Sequence, residues 1–177
     1  MPVRIARYHN IFGPESTWKG GREKSPAAIC RKVINSEVCE DTIEIWGDGQ
    51  QTRSYLYIDE CIEATRRLMD SDFIGPVNIG SEEMVTINEL VDIVESIEDK
   101  DLQRIYVDGP LGVRGRNSNN DLIREKLGWD YEQTLEEGIK KTYGWISYQV
   151  SKDLYGVAPY DDPDYNPYES SEVLAAG

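Results

Sequence analysis

The sequence predicts an α/β fold, because segments with strand character alternate with segments of helical periodicity. Two Thr-x-x-Glu capping boxes, at Thr86 and Thr134, mark the starts of two helices. Short runs such as TIEIW (42–46) and PVNIG (76–80) are rich in residues that favour strands. A chain of 177 residues is long enough for one domain or for part of a larger one.

The first half of the chain is predicted to hold three extended segments and two helices. Residues 3–10 have strand character, and a loop rich in Gly, Pro, Ser and Thr follows. A helix is expected over 26–35, because Ser25 and Pro26 have the form of an N-cap and a first helical residue. After the strand TIEIW the stretch GDGQQTRS turns the chain, and YLYI continues extended. Asp59 then has the position of a cap for a helix that ends near residue 69.

The second half continues the alternation. A strand at PVNIG precedes the helix that starts after Thr86 and runs through residue 97, and RIYV (104–107) is the next strand. GPLGVRGRNSNN is predicted as a loop, 121–127 as a short helix, and the last helix runs to about residue 150. From Ser151 onward the sequence is acidic, contains several Pro and Tyr residues and has no periodicity. We therefore divide the chain into an ordered part, 1–150, and an acidic tail, 151–177, that is expected to be disordered.

Charge is distributed unevenly along the chain. The net charge of −14 argues against nonspecific nucleic-acid binding, which needs a basic surface. Residues 1–32 nevertheless hold seven basic side chains and only two acidic ones. The basic residues are Arg4, Arg7, Lys19, Arg22, Lys24, Arg31 and Lys32, and the acidic ones are Glu15 and Glu23. Cations on a glycine-rich loop that leads into a helix predict a specific anionic ligand, such as a phosphate group.

The remaining composition limits the other classes of function. Cys30, Cys39 and Cys61 form no C-x-x-C pair, so we expect buried, free thiols and a cytoplasmic location. His9 is the single histidine, and no metal site is predicted. The sequence has no run of about 18 apolar residues, so no membrane partner is expected.

Four motifs together resemble one superfamily. They are RYHNIFGP, WGDGQQTRSYLYIDECIEA, PVNIGSEEMVTINELV and VRGRNSNNDLIREKLGW. They look like the C-terminal half of the extended short-chain dehydrogenases/reductases that act on nucleotide sugars, and the resemblance covers about residues 3–150. The block WKGGREKSPAAICRK, supported by VRGRNS, is similar to the GDP-mannose 3,5-epimerase family in particular. The implied fold is the substrate-binding part of such an enzyme, without most of the Rossmann sheet.

The resemblance also implies roles for individual residues. Lys24 matches the lysine that acts with a cysteine as an acid/base pair at the sugar. The matching substrate-binding positions are Asn10, Glu23, Lys24, Ser25, Lys32, Gln51, Thr52, Arg53 and Arg116. Ser25 stands where that family usually has Ala. Arg114 is a rival to Arg116 for the diphosphate, and the motif match favours Arg116. A lysine is a base at neutral pH only when its surroundings lower its pKa, and Lys19, Arg22 and the helix start could supply the positive field.

What the chain lacks also bears on function. It contains no GxGxxG fingerprint, and its Tyr-x-x-x-Lys spacing at Tyr148 and Lys152 falls downstream of every substrate motif, so we treat it as chance. The resemblance implies that a missing N-terminal half binds NAD, supplies the catalytic cysteine and completes a homodimer. The implied reaction converts GDP-D-mannose to GDP-L-galactose through a transient 4-keto sugar, with GDP-L-gulose as the product of 5-inversion alone. The chain by itself is expected to be inactive.

Two alternatives stay open at this point. The chain could belong to a related nucleotide-sugar decarboxylase, dehydratase or 4-epimerase, since the GDGxQxR block is shared among these enzymes. It could instead be a non-enzymatic module that binds a nucleotide sugar. The WKGGREKSPA block separates the first alternative from a GDP-mannose 3,5-epimerase.

Overall fold

The computed structural model describes residues 2–36, 42–109 and 112–155. Helices in these ranges are α1 (Ser25–Asn35), α2 (Ile58–Asp70), α3 (Ile87–Glu95), α4 (Asp121–Leu127) and α5 (Leu135–Tyr155). The strands are β1 (Ile5–Tyr8), β2 (Ile11–Phe12), β3 (Thr42–Trp46), β4 (Thr52–Ser54), β5 (Leu56–Tyr57), β6 (Pro76–Ile79), β7 (Met84–Thr86), β8 (Gln103–Val107) and β9 (Gly115–Arg116). The alternation of strands and helices confirms the predicted α/β class.

Most strand pairs are parallel, as expected where helices connect them. β1 pairs with β6, β2 with β5, and β3 with β8, all in parallel. A fourth sheet has the order β7-β4-β9, in which β4 is antiparallel to β7 and parallel to β9. This small mixed sheet brings the GDGQQTR segment next to the VRGR segment, which lies about sixty residues further along the chain.

Two apolar clusters support this arrangement. The larger one includes Val33 of α1, Val94 of α3 and Ile139 of α5, packed with Ile43 of β3. The smaller one is built by residues of α2, β6 and α4, and Trp129 is its largest buried side chain. Each helix buries one apolar stripe, which is the pattern that stabilises a helix against a sheet. The mixed sheet that carries β4 contributes buried residues to the larger cluster.

The predicted helix starts are correct at α3, α4 and α5 and wrong at α1 and α2. Thr86 and Glu89 form the expected capping box of α3, and Thr134 has the same reciprocal bonds with Glu137 before α5. α1, however, begins one residue earlier than predicted, so Lys24 and not Ser25 is its N-cap. The N-cap of α2 is Tyr57, and Asp59 lies inside the first turn. There its carboxylate still complements the helix dipole.

Other boundaries also differ from the prediction. The opening strand is interrupted at Asn10, whose φ of 30° is incompatible with an extended chain. The three short strands β4, β7 and β9 were not expected, because two or three residues carry too little periodicity to be recognised. α3 ends at Glu95 rather than residue 97. α5 continues five residues past residue 150, and the rest of the acidic tail lies outside the described residues.

The cysteine prediction is confirmed for two of the three residues. Cys30 in α1 and Cys61 in α2 are free and buried, and burial raises the pKa of both thiols. Cys39 lies outside the described residues. Two thiols that remain protonated behave as small apolar core side chains rather than as nucleophiles.

Candidate functional site

The centre of the candidate site is the pairing of β4 with β9. In this parallel pair Arg53 lies directly opposite Arg116. Two arginines at facing positions repel each other, and this arrangement is unfavourable unless an anion lies between or above them. Arg53 donates to the backbone oxygen of Thr52 at 2.7 Å, and the backbone nitrogen of Thr52 donates to Arg114 O at 2.9 Å. The predicted residues Thr52, Arg53 and Arg116 therefore lie together.

The start of α1 approaches this arginine pair through Tyr55. Tyr55 follows β4 and is 5% exposed. Burial raises the pKa of Tyr55, while the neighbouring Ser25 hydroxyl and the Arg53 guanidinium lower it. These influences require Ser25 and Arg53 to lie close to the same phenol. Lys24, the residue before Ser25, is exposed at the N-cap of α1, where its positive charge opposes the helix dipole.

Asn10 contacts the backbone on both sides of Tyr55 in the chain. Its side-chain amide donates to Ser54 O at 3.0 Å, and its backbone oxygen accepts from Leu56 N at 3.2 Å. Asparagine tolerates a positive φ better than most residues, which suits the value of 30° at this position. Asn10 thus fixes the chain segment that contains Tyr55, and its predicted place at the site is consistent with the structure.

Lys32 and Gln51 meet the outer edge of β3. Lys32 Nζ donates to Glu44 O at 2.6 Å, and Gln51 Nε2 donates to Trp46 O at 3.0 Å. The other edge of β3 pairs with β8. Because Glu44 and Trp46 are two residues apart, their backbone groups point to the same side of the strand. Lys32 and Gln51 consequently lie along one edge, which leads directly into Thr52 and Arg53.

Glu23 forms the most protected ion pair near the site. Its carboxylate accepts from Arg31 at 2.8 Å, and the Glu23 side chain is 7% exposed. Burial raises the pKa of Glu23, but backbone hydrogen bonds and Arg31 outweigh it, so the net shift is downward. This pair ties the glycine-rich loop to α1. Oε2 of Glu23 is buried without a hydrogen-bond partner among the described residues.

Several of the basic residues near the N-terminus do not join the site. Lys19 pairs with Asp153 of α5 and lies over the Trp18 ring. Arg4 donates to Ser71 O, far along the chain. Arg31 is engaged by Glu23. The local excess of positive charge in the sequence is therefore spread over several contacts, and it does not form one cluster.

Arg114 forms an ion pair of its own within the chain. One of its guanidinium nitrogens, Nη1, donates to both carboxylate oxygens of Asp48, at 3.0 Å and 2.8 Å. Asp48 belongs to the turn between β3 and β4, and hydrogen bonds from Gln50 and Arg114 lower its pKa. The Arg114–Asp48 pair thus connects the two segments that carry Arg116 and Arg53. This geometry favours Arg116 over Arg114 as the residue free to meet a ligand.

Sequence reasoning missed a group of buried polar atoms beside the arginine pair. Gln51 Oε1, Ser54 Oγ and Tyr55 Oη are buried, and none has a well-aligned hydrogen bond within the part of the chain described. All three belong to one stretch of five residues. A buried polar atom without a partner costs free energy, so such a group near a candidate site is notable. The signal that the sequence offers for these atoms is that their three residues fall within the short segment QTRSY.

Comparisons with known proteins show which proteins the chain resembles. A profile of the NAD dependent epimerase/dehydratase family matches residues 1–80. GDP-mannose 3,5-epimerase from Arabidopsis thaliana is 56% identical over 174 residues, which are 98% of this chain and 44% of that protein. The first 80 residues are thus similar to the NAD dependent epimerase/dehydratase family. The chain spans less than half the length of the Arabidopsis relative.

Solved structures of the epimerase/dehydratase family share the fold. UDP-glucose 4-epimerase from Thermotoga maritima, solved with UDP-glucose, gives a TM-score of 0.75 at 28% identity, over 83% of this chain and 46% of that one. UDP-glucuronic acid 4-epimerase from Bacillus cereus, in complex with UDP-glucuronic acid and NAD, gives 0.70 at 26% identity, over 85% of this chain and 46% of that one. Both similarities concern about half of the longer protein.

The family name implies NAD, but the described residues offer no dinucleotide-binding turn. Gly47-x-Gly49 lies between two strands and does not lead into a helix as a dinucleotide fingerprint would. A Cβ at Gly49 would meet Asn88 Oδ1 at 2.3 Å, so this turn packs against α3 and leaves no room for a pyrophosphate. Within the described ranges we also find no cluster of potential metal ligands and no helix able to cross a membrane.

Proposed function

We propose that this chain is the substrate-binding part of a GDP-mannose 3,5-epimerase. The pairing of Arg53 with Arg116 across β4 and β9 carries the proposal. Paired guanidinium groups provide several fixed donors for the oxygens of a diphosphate, and the bound anion would offset their mutual repulsion. The 56% identity to a GDP-mannose 3,5-epimerase supports GDP-mannose over other nucleotide sugars.

The remaining residues suit the two ends of such a ligand. Lys32 and Gln51 lie along the edge of β3, where the guanosine end of the ligand would extend from the arginine pair. Ser25 and Lys24 lie at the start of α1, where the hexose would follow the diphosphate. Backbone N–H groups at this helix start can also donate to the anion. The unpartnered Glu23 Oε2 would accept a hydrogen bond from a sugar hydroxyl.

In this proposal Lys24 is the catalytic residue of the chain. The reaction, GDP-D-mannose to GDP-L-galactose through a transient 4-keto sugar, removes and returns protons next to the ketone. Lys24 would move one of these protons at its amine nitrogen, and a cysteine from the rest of the protein would handle the opposite face. Exposure of Lys24 in the described chain leaves its amine accessible to the sugar.

The redox part of the reaction requires residues outside this chain. NAD supplies hydride chemistry to the family, and the described residues do not fit it, so we propose that the missing N-terminal half binds it. We therefore expect the chain alone to be inactive, and the intact protein to act as a homodimer. The buried free thiols of Cys30 and Cys61 support a reducing, cytoplasmic location.

Calorimetric titration of the chain with GDP-mannose and with UDP-glucose tests the substrate proposal. Tighter binding of GDP-mannose, lost in Arg53→Ala, supports it. Tighter binding of the UDP-sugar would favour a related epimerase, dehydratase or decarboxylase. Absence of binding to either ligand would contradict the proposal.

An activity assay with NAD and GDP-mannose tests whether catalysis requires both this chain and the proposed N-terminal half. The chain is assayed alone and after co-expression with the part of the Arabidopsis relative that it does not match. Activity only in the co-expressed sample is the expected result. Turnover by the chain alone would overturn our expectation that it is inactive. If the chain binds GDP-mannose but gains no activity in the co-expressed sample, the non-enzymatic binding module becomes the better account.

A further inference from the structure

The hydroxyl of Tyr55 is the buried polar group that the proposed function leaves unexplained. Tyr55 is 5% exposed, and its ring packs edge-on against Phe12 with centroids 6.3 Å apart. Packing of this kind accounts for the ring but not for Oη, which has no well-aligned hydrogen bond among the described residues. A phenylalanine would satisfy the same packing without burying an unpaired hydroxyl. The hydroxyl therefore requires another explanation.

The surroundings of Tyr55 Oη indicate what it could bind. The Ser25 hydroxyl at the start of α1 lies within hydrogen-bonding range of the phenol, and the Arg53 guanidinium is near enough to influence its charge. Burial raises the pKa of Tyr55, which keeps the phenol protonated at neutral pH and able to donate a hydrogen bond. A neutral donor between a guanidinium and a helix start suits an anionic oxygen.

We propose that Tyr55 is a further substrate-binding residue, whose hydroxyl donates a hydrogen bond to the hexose-linked phosphate of the bound nucleotide sugar. The inference rests on the proposed function and deepens it. Tyr55 lies between Arg53, which we assign to the diphosphate, and the Ser25–Lys24 end, which we assign to the sugar. The phosphate that joins these two parts is the group within its reach.

Access to Tyr55 Oη requires one side chain to move. Arg53 now contacts two backbone oxygens, Thr52 O at 2.7 Å and Arg114 O at 3.5 Å. A phosphate is a stronger acceptor for a guanidinium than a neutral carbonyl. Binding of the diphosphate would draw Arg53, two residues before Tyr55, toward the ligand. The ligand would then provide an acceptor for a hydroxyl that has no well-aligned hydrogen bond among the described residues.

Tyr55→Phe tests the inference on the 177-residue chain. Calorimetry measures the affinity for GDP, which contains this phosphate, and for GMP, which lacks it. We expect Tyr55→Phe to bind GDP about 10-fold more weakly, as for a lost hydrogen bond to a charged group, and to bind GMP unchanged. We also expect its melting temperature without ligand to rise, because the unpaired buried hydroxyl is gone. A structural role for the hydroxyl would instead lower the melting temperature and leave GDP affinity unchanged.

Tyr143→Phe is the matched control, since it removes a hydroxyl from another buried tyrosine, on α5. It should leave the affinity for GDP unchanged. Equal affinities of wild type and Tyr55→Phe for GDP would overturn the inference, and so would an equal loss for GDP and GMP. Failure of the wild-type chain to bind GDP-mannose would refute the proposed function itself. This inference would then fail too, because the wild-type chain would have no bound ligand for Tyr55 to contact.

Discussion

At the scale of single residues, the site depends on charges that are poorly satisfied without a ligand. Arg53 and Arg116 face each other on adjacent strands, and Lys24 lies at the positive end of a helix dipole. Both placements are unfavourable for folding. The Arg114–Asp48 pair, in contrast, is satisfied within the chain. Substitution of Arg116 should therefore affect ligand binding more than substitution of Arg114.

Arg116→Ala should weaken GDP-mannose binding about 10- to 100-fold, because it removes a charged donor to the diphosphate, a contact of about 1.5–3 kcal/mol. It should change the free energy of unfolding by less than about 1 kcal/mol in the stabilising direction, since it relieves repulsion with Arg53. Arg114→Ala is the control, and we expect it to alter affinity less than about 3-fold. Calorimetry and urea unfolding measure both quantities. A larger affinity loss in Arg114→Ala would reverse the assignment of the two arginines.

Glu23→Gln should destabilise the chain in a pH-dependent manner. The folded state holds the pKa of Glu23 below its usual value of 4.5, so the charged carboxylate stabilises the fold. This contribution is complete above the unfolded pKa and is lost as the pH falls through the lowered, folded pKa. At pH 7 we expect Glu23→Gln to lower the free energy of unfolding by about 1–2 kcal/mol. This figure takes into account the partial exposure of Arg31.

Urea unfolding of wild type and Glu23→Gln between pH 7 and pH 3 measures the effect. The two unfolding free energies should converge as the pH drops below about 4.5. Glu98→Gln is the control, because it also removes a carboxylate from an ion pair, and that pair with Lys100 is local in sequence. A difference between wild type and Glu23→Gln that persists unchanged at pH 3 would contradict the prediction.

At the scale of elements, the sequence predicted long segments well and short ones poorly. α3 was recognised because its capping box and apolar spacing agree, and both are local signals. β4 and β9 were missed because their pairing depends on partners about sixty residues apart. The start of α1 was misjudged because Pro26 fits the second helical position as well as the first. The site lies where these short strands meet, so its residues came from resemblance rather than from periodicity.

Thr86→Ala should destabilise the chain by about 1 kcal/mol. The Thr86 hydroxyl accepts from Glu89 N at 3.0 Å, and the Glu89 carboxylate accepts from Thr86 N at 2.7 Å. Removing the hydroxyl leaves one N–H of the first turn to water, the usual cost of a lost N-cap. Thr86 also pairs with Thr52 across β7 and β4, and this backbone pairing does not need the hydroxyl. Thr86→Ser retains the cap and should restore most of the stability in urea unfolding.

At the scale of the whole molecule, the β1–β6 pair has one exposed face. β1 is parallel to β6, and parallel strands are usually covered on both faces. α2 covers one face, where Tyr8 Oη lies 3.1 Å from Thr65 Oγ1, whereas Ile5 on the opposite face is 47% exposed. The chain matches less than half of its relatives' length, and under the proposed function this exposed face would contact the unmatched half. A net charge of −14 works against self-association, but local apolar contacts can overcome it.

Ile5→Asn should therefore reduce self-association of the isolated chain without changing its affinity for GDP-mannose. The substitution makes the exposed face of β1 polar, and β1 contributes no contact to the Arg53–Arg116 pair. Light scattering during size-exclusion chromatography measures the mass distribution, with Ile105→Asn on the exposed face of β8 as the control. The same substitution should prevent activation by the co-expressed half, because that half would cover Ile5. If Ile5→Asn is activated as well as wild type, the partner surface lies elsewhere on the molecule.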